Sequence, residues 1–264
     1  MTESQKQQIV DRHNELRSKV ALGKETRGNP GPQKPAANML EMSWDDELEA
    51  IAQRWTDQCE FGHDKIRGVK RFPVGQNSFV AMGNSEGTLS ALKGVEVWYN
   101  EVSKLPNSMA AKFNGSLSAG HYTQMVYAES FKIGCGLTVF KGPKWGAHKF
   151  LACNYGRHGN VFGREIYTVG EACSKCSSGI CSKKYPALCV SNSTAAQSSL
   201  LDQINDHVDL VEPVEDLVEP IEDPDEYYQD PYGKPFYDTG LDIRYGDDQF
   251  YTYPPVFSVL DLLQ

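Results

Sequence analysis

Two histidines, His63 and His121, stand in short segments where their chemistry can be exploited: Cys-Glu-Phe-Gly-His-Asp and Gly-His-Tyr-Thr. Two neutral imidazoles that converge on one point form a site for a divalent metal such as zinc. A nearby carboxylate adds negative charge and orients one of the rings. A single histidine on a helix or near a strand is more often structural, so residue type alone does not assign either one.

Histidine and glutamate in one cleft also fit a hydrolase, with His63, His121 and Glu101 as the catalytic groups. Such a mechanism needs a serine fixed on a turn beside a histidine. The chain offers Ser78, close to Gln76 and Asn77, and we expect no nucleophile elbow of the Gly-x-Ser-x-Gly type. We therefore expect no catalytic residues and keep a peptidase or esterase as the alternative.

Charge divides the 264-residue chain into two unequal parts. The net charge is −9, and residues 192–264 hold 17 acidic residues against Lys234 and Arg244, a net of −15. The first 191 residues therefore carry −9 + 15 = +6. The tail repeats Asp-Leu-Val-Glu-Pro, starting at Asp209 and Asp216. We predict an extended, disordered tail that binds basic proteins, or else an inert acidic extension. No nucleic-acid partner is expected.

Cysteine usage indicates an oxidising compartment. Four of the seven cysteines fall within residues 170–191, which are rich in Ser, Lys and Gly and too poor in apolar side chains to fold by burial. Disulfides explain this cluster better than zinc, although Cys173-x-x-Cys176 has ligand-like spacing. The N-terminal residues are polar and lack the apolar region of a signal peptide. We expect a secreted protein whose sequence here begins downstream of its leader.

Hydrophobic periodicity predicts helices and strands intermixed without a regular β-α-β order, which favours an α+β fold. Helices are predicted at 4–20, in a segment capped by Ser43, from Thr88 or Ser90, and at about His121–Ser130. Strands are predicted at Val74–Met82, Lys132–Phe140, Lys149–Tyr155 and Glu165–Val169. No run of 18 apolar residues occurs, so no transmembrane segment is expected.

Two longer motifs, GHYTQMVY at 120–127 and FLACNYGRHGNV at 150–161, resemble the signatures of the CAP superfamily of cysteine-rich secretory, antigen-five and pathogenesis-related proteins. The segments IVDRHNELR at 9–17 and RFPVGQN at 71–77 are similar to arthropod venom allergens. The resemblance implies a three-layer α-β-α sandwich with an antiparallel sheet over residues 1–169. Residues 170–191 then form a cysteine-rich, hinge-like extension, and 192–264 lie outside the resemblance.

The same resemblance implies a set of site residues. It places His63, Gln76, Glu101 and His121 around one cleft, with zinc as an optional ligand of the two histidines and no cofactor required. Gln76 stands where many relatives have glutamate, which removes one negative charge and weakens metal binding. The implied disulfides are Cys135–Cys153, Cys173–Cys181 and Cys176–Cys189, although four cysteines in a cluster allow three arrangements.

The resemblance leaves Cys59 without a partner. We expect it to be buried on the Trp55 side of its helix, the alternative being a thiol available for an intermolecular bridge. It also implies a secreted, non-enzymatic protein that binds small hydrophobic ligands, such as a sterol or fatty acid, or an extracellular protein. Asn114 and Asn192 lie in glycosylation sequons and are expected to be surface residues.

Overall fold

The computed structural model describes residues 1–83, 91–115, 117–141 and 147–194. These residues belong to one compact unit, Met1–Val211, and a second unit, Glu212–Gln264, lies wholly outside the described residues. The predicted disorder of the acidic tail also falls outside them. No helix in the described part of the chain is long and apolar enough to cross a membrane.

Four α-helices carry most of the apolar packing. They are α1 (Glu3–Ala21), α2 (Asp46–Thr56), α3 (Ala91–Asn100) and α4 (Gly120–Met125). Thr2 and Gln5 form a capping box that begins α1, which explains the early start of this helix. The prediction that Ser43 caps α2 is wrong: the carboxylate of Asp45 accepts from the N–H of Leu48, so α2 begins two residues later.

The helix predicted to end at Ser130 ends at Met125 instead. The guanidinium of the buried Arg17 donates to the carbonyl oxygens of Met125, Tyr127, Ala128 and Ser130 at 2.7–3.2 Å. Because these carbonyls accept hydrogen bonds from Arg17, the chain can leave the helix without burying unpaired acceptors.

Four strands form one mixed sheet with the order β1-β3-β4-β2. The strands are β1 (Ser43–Trp44), β2 (Val74–Gly83), β3 (Lys132–Lys141) and β4 (Ala147–Gly156). β3 pairs antiparallel with β4, and β4 with β2, but β1 runs parallel to β3. The expectation of a wholly antiparallel sheet is therefore wrong at this edge. Glu165–Val169 is not a strand either, since it makes a single bridge between Val169 and Ala36.

Alternation along β4 places one helix layer on each face of the sheet. Leu151, Cys153 and Tyr155 belong to the main core with residues of α1 and α3. On the other face, Asn154 donates to the carbonyl oxygen of Leu48 in α2 at 3.2 Å. A Cβ on Gly134 would lie 2.2 Å from a backbone atom of α2, so glycine permits this close packing. The α-β-α layering of the fold follows from these contacts.

The cysteine-rich extension packs on the same core. The N–H of Cys189 donates to the carbonyl oxygen of Met39, and the N–H of Glu41 donates to that of Cys189, both at 2.8 Å. Leu188 is fully buried in the main cluster. Disulfide bonds join Cys135 to Cys153, Cys173 to Cys181 and Cys176 to Cys189. These three pairs have the connectivity that the resemblance implies.

Candidate functional site

The predicted site residues form two pairs beside β2, an outer strand of the sheet: His63 with Gln76, and His121 with Glu101. His63 follows α2 in a loop and contacts Gln76 and Ser78, which face the α2 layer. His121 lies in the first turn of α4, and its carbonyl oxygen accepts from the side chain of Asn77, which faces the opposite layer. The two histidines therefore approach the strand from its two faces.

A chain of amide groups fixes the orientation of His63. The carbonyl oxygen of Leu48 can only accept, so Asn154 turns its Nδ2 toward it and its Oδ1 toward Gln76. Gln76 then donates to that Oδ1 at 2.9 Å and points its own Oε1 at the N–H of Asp64, 3.0 Å away, and at Nδ1 of His63, 3.1 Å away. His63 must donate from Nδ1, which leaves the lone pair of Nε2 free.

Glu101 fixes the orientation of His121, so that this ring also donates from Nδ1. Its Oε1 lies 2.8 Å from Nδ1 of His121, and its Oε2 accepts from the backbone N–H groups of His121 and Tyr122 at 2.9 and 3.3 Å. A carboxylate oxygen accepts, so Nδ1 of His121 donates and Nε2 again keeps its lone pair. The side chain of His121 is 36% exposed and that of Glu101 is 19% exposed.

The environment of His63 favours its neutral form. Partial desolvation of the ring lowers the pKa of His63, although the residue lies at the surface. The hydrogen bond to Gln76 acts in the opposite direction, and the positive charge of Arg67 lowers the pKa further. Metal binding requires a neutral imidazole, so these effects suit a ligand.

Trp98 contacts both the His121 ring and the backbone of β2. Its ring stacks on His121 with centroids 6.1 Å apart and an interplanar angle of 23°. Its Nε1 donates to the carbonyl oxygen of Ser78 at 3.1 Å, which satisfies an acceptor on the outer edge of β2. α3 thus holds the edge strand and the His121 ring in one arrangement.

The donor set limits which metal chemistry is available. The free lone pairs at Nε2 of His63 and His121 are suitable ligands for zinc, and water or another group would have to complete the coordination. Among the described residues, the group with three His, Cys, Asp or Glu ligand atoms within 4.8 Å is Cys173, Cys176 and Cys181. Those sulfurs are in disulfides and are not thiolates.

The arrangement does not form a serine triad around Ser78. Its Oγ donates to the carbonyl oxygen of Gly62 at 3.1 Å and lies 3.5 Å from Nδ1 of His63, the same nitrogen that faces Gln76. In a triad the serine and the orienting carboxylate bind different ring nitrogens. Glu101 contacts His121, and no described contact links it to His63.

The expectation that the chain lacks a Gly-x-Ser-x-Gly motif is wrong. Residues Gly83–Gly87 read Gly-Asn-Ser-Glu-Gly, which matches Gly-x-Ser-x-Gly with Ser85 at its centre. Ser85 lies outside the described residues, between the end of β2 and the start of α3. A search for this five-residue pattern along the whole chain would have found it.

Three other expectations have clear outcomes. Cys59 is partly exposed rather than buried, because α2 ends at Thr56 and the residue turns away with φ of 57°. It is the free cysteine of the chain, all seven cysteines being among the described residues. Asn114 and Asn192 are exposed, as surface sequons require.

The α-β-α layering and the three disulfides define a cysteine-rich α+β domain. Residues 10–155 match the family described as CAP, the cysteine-rich secretory protein family, and the chain belongs to this family. Venom allergen 3 of Solenopsis invicta is 46% identical over 173 residues, covering 64% of this chain and 74% of that protein. Venom allergen 5 of Dolichovespula arenaria is 47% identical over 169 residues, covering 63% and 82%.

Solved structures are similar over the same region. BmVAL-1 matches with a TM-score of 0.64 and 29% identity, covering 73% of this chain and 96% of that one. NaASP2, crystallised with Zn²⁺, matches with a TM-score of 0.60 and 34% identity, covering 72% and 96%. The chain is thus a venom allergen-like member of the family.

Proposed function

We propose that the chain is a secreted protein that acts by binding, without catalysis, and that its cleft takes a divalent metal at His63 and His121. One observation carries the metal proposal: each imidazole uses Nδ1 to donate a hydrogen bond, which leaves both Nε2 atoms as ligands. Zinc in the crystal of the 34% identical NaASP2 supports the choice of metal. Gln76 supplies no charge, so the expected affinity is modest.

Calorimetric titration of zinc into the protein near pH 7 tests the metal proposal. His63→Ala and His121→Ala should each lower the affinity at least tenfold. The matched control is His158→Asn, because His158 bonds its own neighbour's carbonyl through Nδ1 and Asn keeps a donor there. Equal zinc affinity in the two cleft variants and the control would refute the metal proposal.

For the bound partner we propose a small hydrophobic ligand, a sterol or fatty acid, ahead of an extracellular protein target. A groove of about 820 Å³ between α1 and the cysteine-rich extension supports this choice. Leu22, Pro35 and Ala172 line it together with charged residues such as Lys24 and Glu171.

Titration of the protein with a sterol and with a fatty acid tests whether it binds a small hydrophobic ligand. Capture of extracellular proteins on the immobilised chain tests whether it binds a protein target. Saturable binding of a lipid that Ala172→Trp abolishes would support the groove. If only an extracellular protein binds, the protein target is favoured over the lipid. If neither a lipid nor a protein binds saturably, the binding proposal is refuted.

The absence of catalysis is tested with peptide and ester substrates. We expect no turnover above a denatured control. Turnover that disappears in Ser85→Ala or in His121→Ala would establish the hydrolase alternative instead. Loss in Ser85→Ala would also identify the nucleophile.

We further propose that the acidic tail binds basic proteins by charge. It carries −15, and such an interaction weakens as salt screens the charges. Deletion of residues 195–264 should abolish binding to a basic protein such as a histone at low salt. Unchanged binding after deletion would make the tail an inert extension.

A further inference from the structure

The two disulfides of the cysteine-rich extension are in contact with each other. Cys173 is bonded to Cys181 and Cys176 to Cys189. The Sγ atoms of Cys173 and Cys176, which belong to different disulfides, lie 3.2 Å apart. A thiolate released at Cys173 would therefore already be next to a sulfur of the second bond, and thiol–disulfide exchange proceeds by attack of a thiolate on such a sulfur.

The backbone already suits a second pairing, Cys173 with Cys176 and Cys181 with Cys189. Cys181 and Cys189 are opposite each other in an antiparallel bridge. The hydrogen bonds on either side run from Ser182 to Leu188 and from Val190 to Ile180, which makes 181 and 189 a non-hydrogen-bonded pair. Such pairs have Cα atoms about 4.5 Å apart, within the range that a disulfide spans.

Exposure decides where the exchange starts. Cys181 is exposed, Cys173 and Cys176 are partly exposed, and Cys189 is fully buried. An external thiol can therefore reach Cys181 first. Lys175 and Lys183 flank the cysteines in the sequence, and nearby positive charge stabilises thiolates. By contrast, both cysteines of the Cys135–Cys153 bond are fully buried.

We propose that the extension undergoes thiol-triggered exchange between these two disulfide pairings. An external thiolate attacks Sγ of Cys181, forms a mixed disulfide there and releases the Cys173 thiolate. That thiolate attacks Sγ of Cys176, closes the 173–176 bond and expels the Cys189 thiolate. Cys189 then attacks Cys181 and returns the external thiolate. No net oxidation occurs, and the thiol acts as a catalyst.

The exchange changes which parts of the extension are covalently linked. In the pairing of the structure, both bonds join residues 170–177 to the hairpin 180–190. In the second pairing each segment is closed on itself. The hairpin keeps its hydrogen bond from Cys189 to Met39, whereas residues 170–177 are left with contacts such as Lys175 N–H to the carbonyl oxygen of Ala37. Exchange catalysed by an external thiol would therefore loosen residues 170–177.

Trypsin alone cannot distinguish the pairings, because it leaves Cys176 and Cys181 in one peptide, 176–183. Ser177→Lys adds a cleavage site between them at an exposed position whose only described hydrogen bond is a 3.5 Å contact to Asn192. The experiment uses this variant with Cys59→Ser, which removes the free thiol. The protein is incubated with reduced glutathione, quenched with an alkylating agent, digested and analysed by mass spectrometry.

We expect peptides that join Cys173 to Cys176 and Cys181 to Cys189 to appear, with the Cys135–Cys153 bond exchanging at least ten times more slowly. Recovery of the original pairs alone, or of four alkylated thiols without the 173–176 and 181–189 pairs, would overturn the proposal. Fragmentation of the linked tryptic peptides from the chain with native Ser177 gives the same readout and guards against an effect of the new lysine.

Discussion

Glu101 binds His121 at two places: its Oε1 lies 2.8 Å from the ring Nδ1, and its Oε2 lies 2.9 Å from the backbone nitrogen of the same residue. One carboxylate thus sets both the start of α4 and the direction of the imidazole. An acid at the N-terminus of a helix is favourable because the free N–H groups point at it.

Glu101→Gln should lower zinc affinity about 10- to 100-fold, a typical effect for a residue that orients a metal ligand. The amide has one acceptor, so either the ring or the backbone N–H groups lose their partner. If the NH₂ group faces Nδ1, the ring proton moves to Nε2 and blocks the metal. Calorimetry measures the change. Glu129→Gln is the control because Glu129 is exposed and 3.8 Å from Arg157. Unchanged affinity in Glu101→Gln would contradict this role.

Gln76→Glu should strengthen zinc binding, about tenfold, and destabilise the fold by about 1–3 kcal/mol. The added charge attracts the cation, but a carboxylate oxygen would then face Oδ1 of Asn154, which cannot turn without losing its bond to Leu48. Denaturant unfolding and calorimetry measure the two effects. Gln58→Glu adds the same charge at an exposed position and should change neither property much. Full stability in Gln76→Glu would show that Asn154 turns freely.

Hydrophobic periodicity was sufficient for the long elements. β2, β3 and β4 lie within two residues of their predicted bounds, and α1 within one, because each has a regular apolar pattern over most of its length. Periodicity failed where a single polar contact decides the outcome. Asp45 rather than Ser43 caps α2, and Arg17 ends α4 through carbonyl contacts from a distant part of the chain.

The candidate site was less predictable from the residues themselves. His63 and His121 are 58 positions apart, and only the family resemblance associated them with Glu101 and Gln76. Asn154 could not be recognised as an orienting residue, because its role depends on the register that pairs it with Gln76 across β4 and β2. Spacing along a sequence does not contain that register.

Stability should decrease as the pH falls from about 6.5 toward 4 because of His13. This residue is fully buried, and burial lowers the pKa of His13 to about 4. Its Nδ1 donates to the carbonyl oxygen of Ile9 and its Nε2 accepts from Tyr155. The unfolded chain binds the proton more readily than the folded one, so protonation favours unfolding. The loss should be about 2–3 kcal/mol.

His13→Gln tests this assignment, because glutamine can donate to Ile9 and accept from Tyr155 without titrating. Urea unfolding measured at several pH values should show a flatter dependence between pH 6.5 and 4 in the variant. Asp11 and Asp45, whose pKa values are also lowered, keep part of the acid sensitivity at lower pH. Identical pH profiles for the two proteins would exclude His13 as the cause.

Glu25→Gln should destabilise the fold by about 2–3 kcal/mol, since the side chain of Glu25 is fully buried among charged partners. Its carboxylate accepts from Lys19 at 2.8 Å, from the hydroxyl of Tyr99 at 2.9 Å, and three times from Arg27 at 2.9 Å, twice from the guanidinium and once from the backbone N–H. These contacts hold the pKa of Glu25 well below its usual range against the opposing effect of burial. An amide keeps the shape but turns an NH₂ group toward one of these donors.

Chemical denaturation near pH 7 measures this loss, and Glu15→Gln is the matched control on the exposed side of α1. Glu15 pairs with Arg12 at the surface, where such a contact contributes less than about 1 kcal/mol. Lys19 and Arg27 stay partly exposed, at 41% and 38%, so water takes up part of the unpaired charge and the cost stays below that of a wholly buried pair. Equal losses in the two variants would mean that the buried carboxylate contributes no more than a surface one.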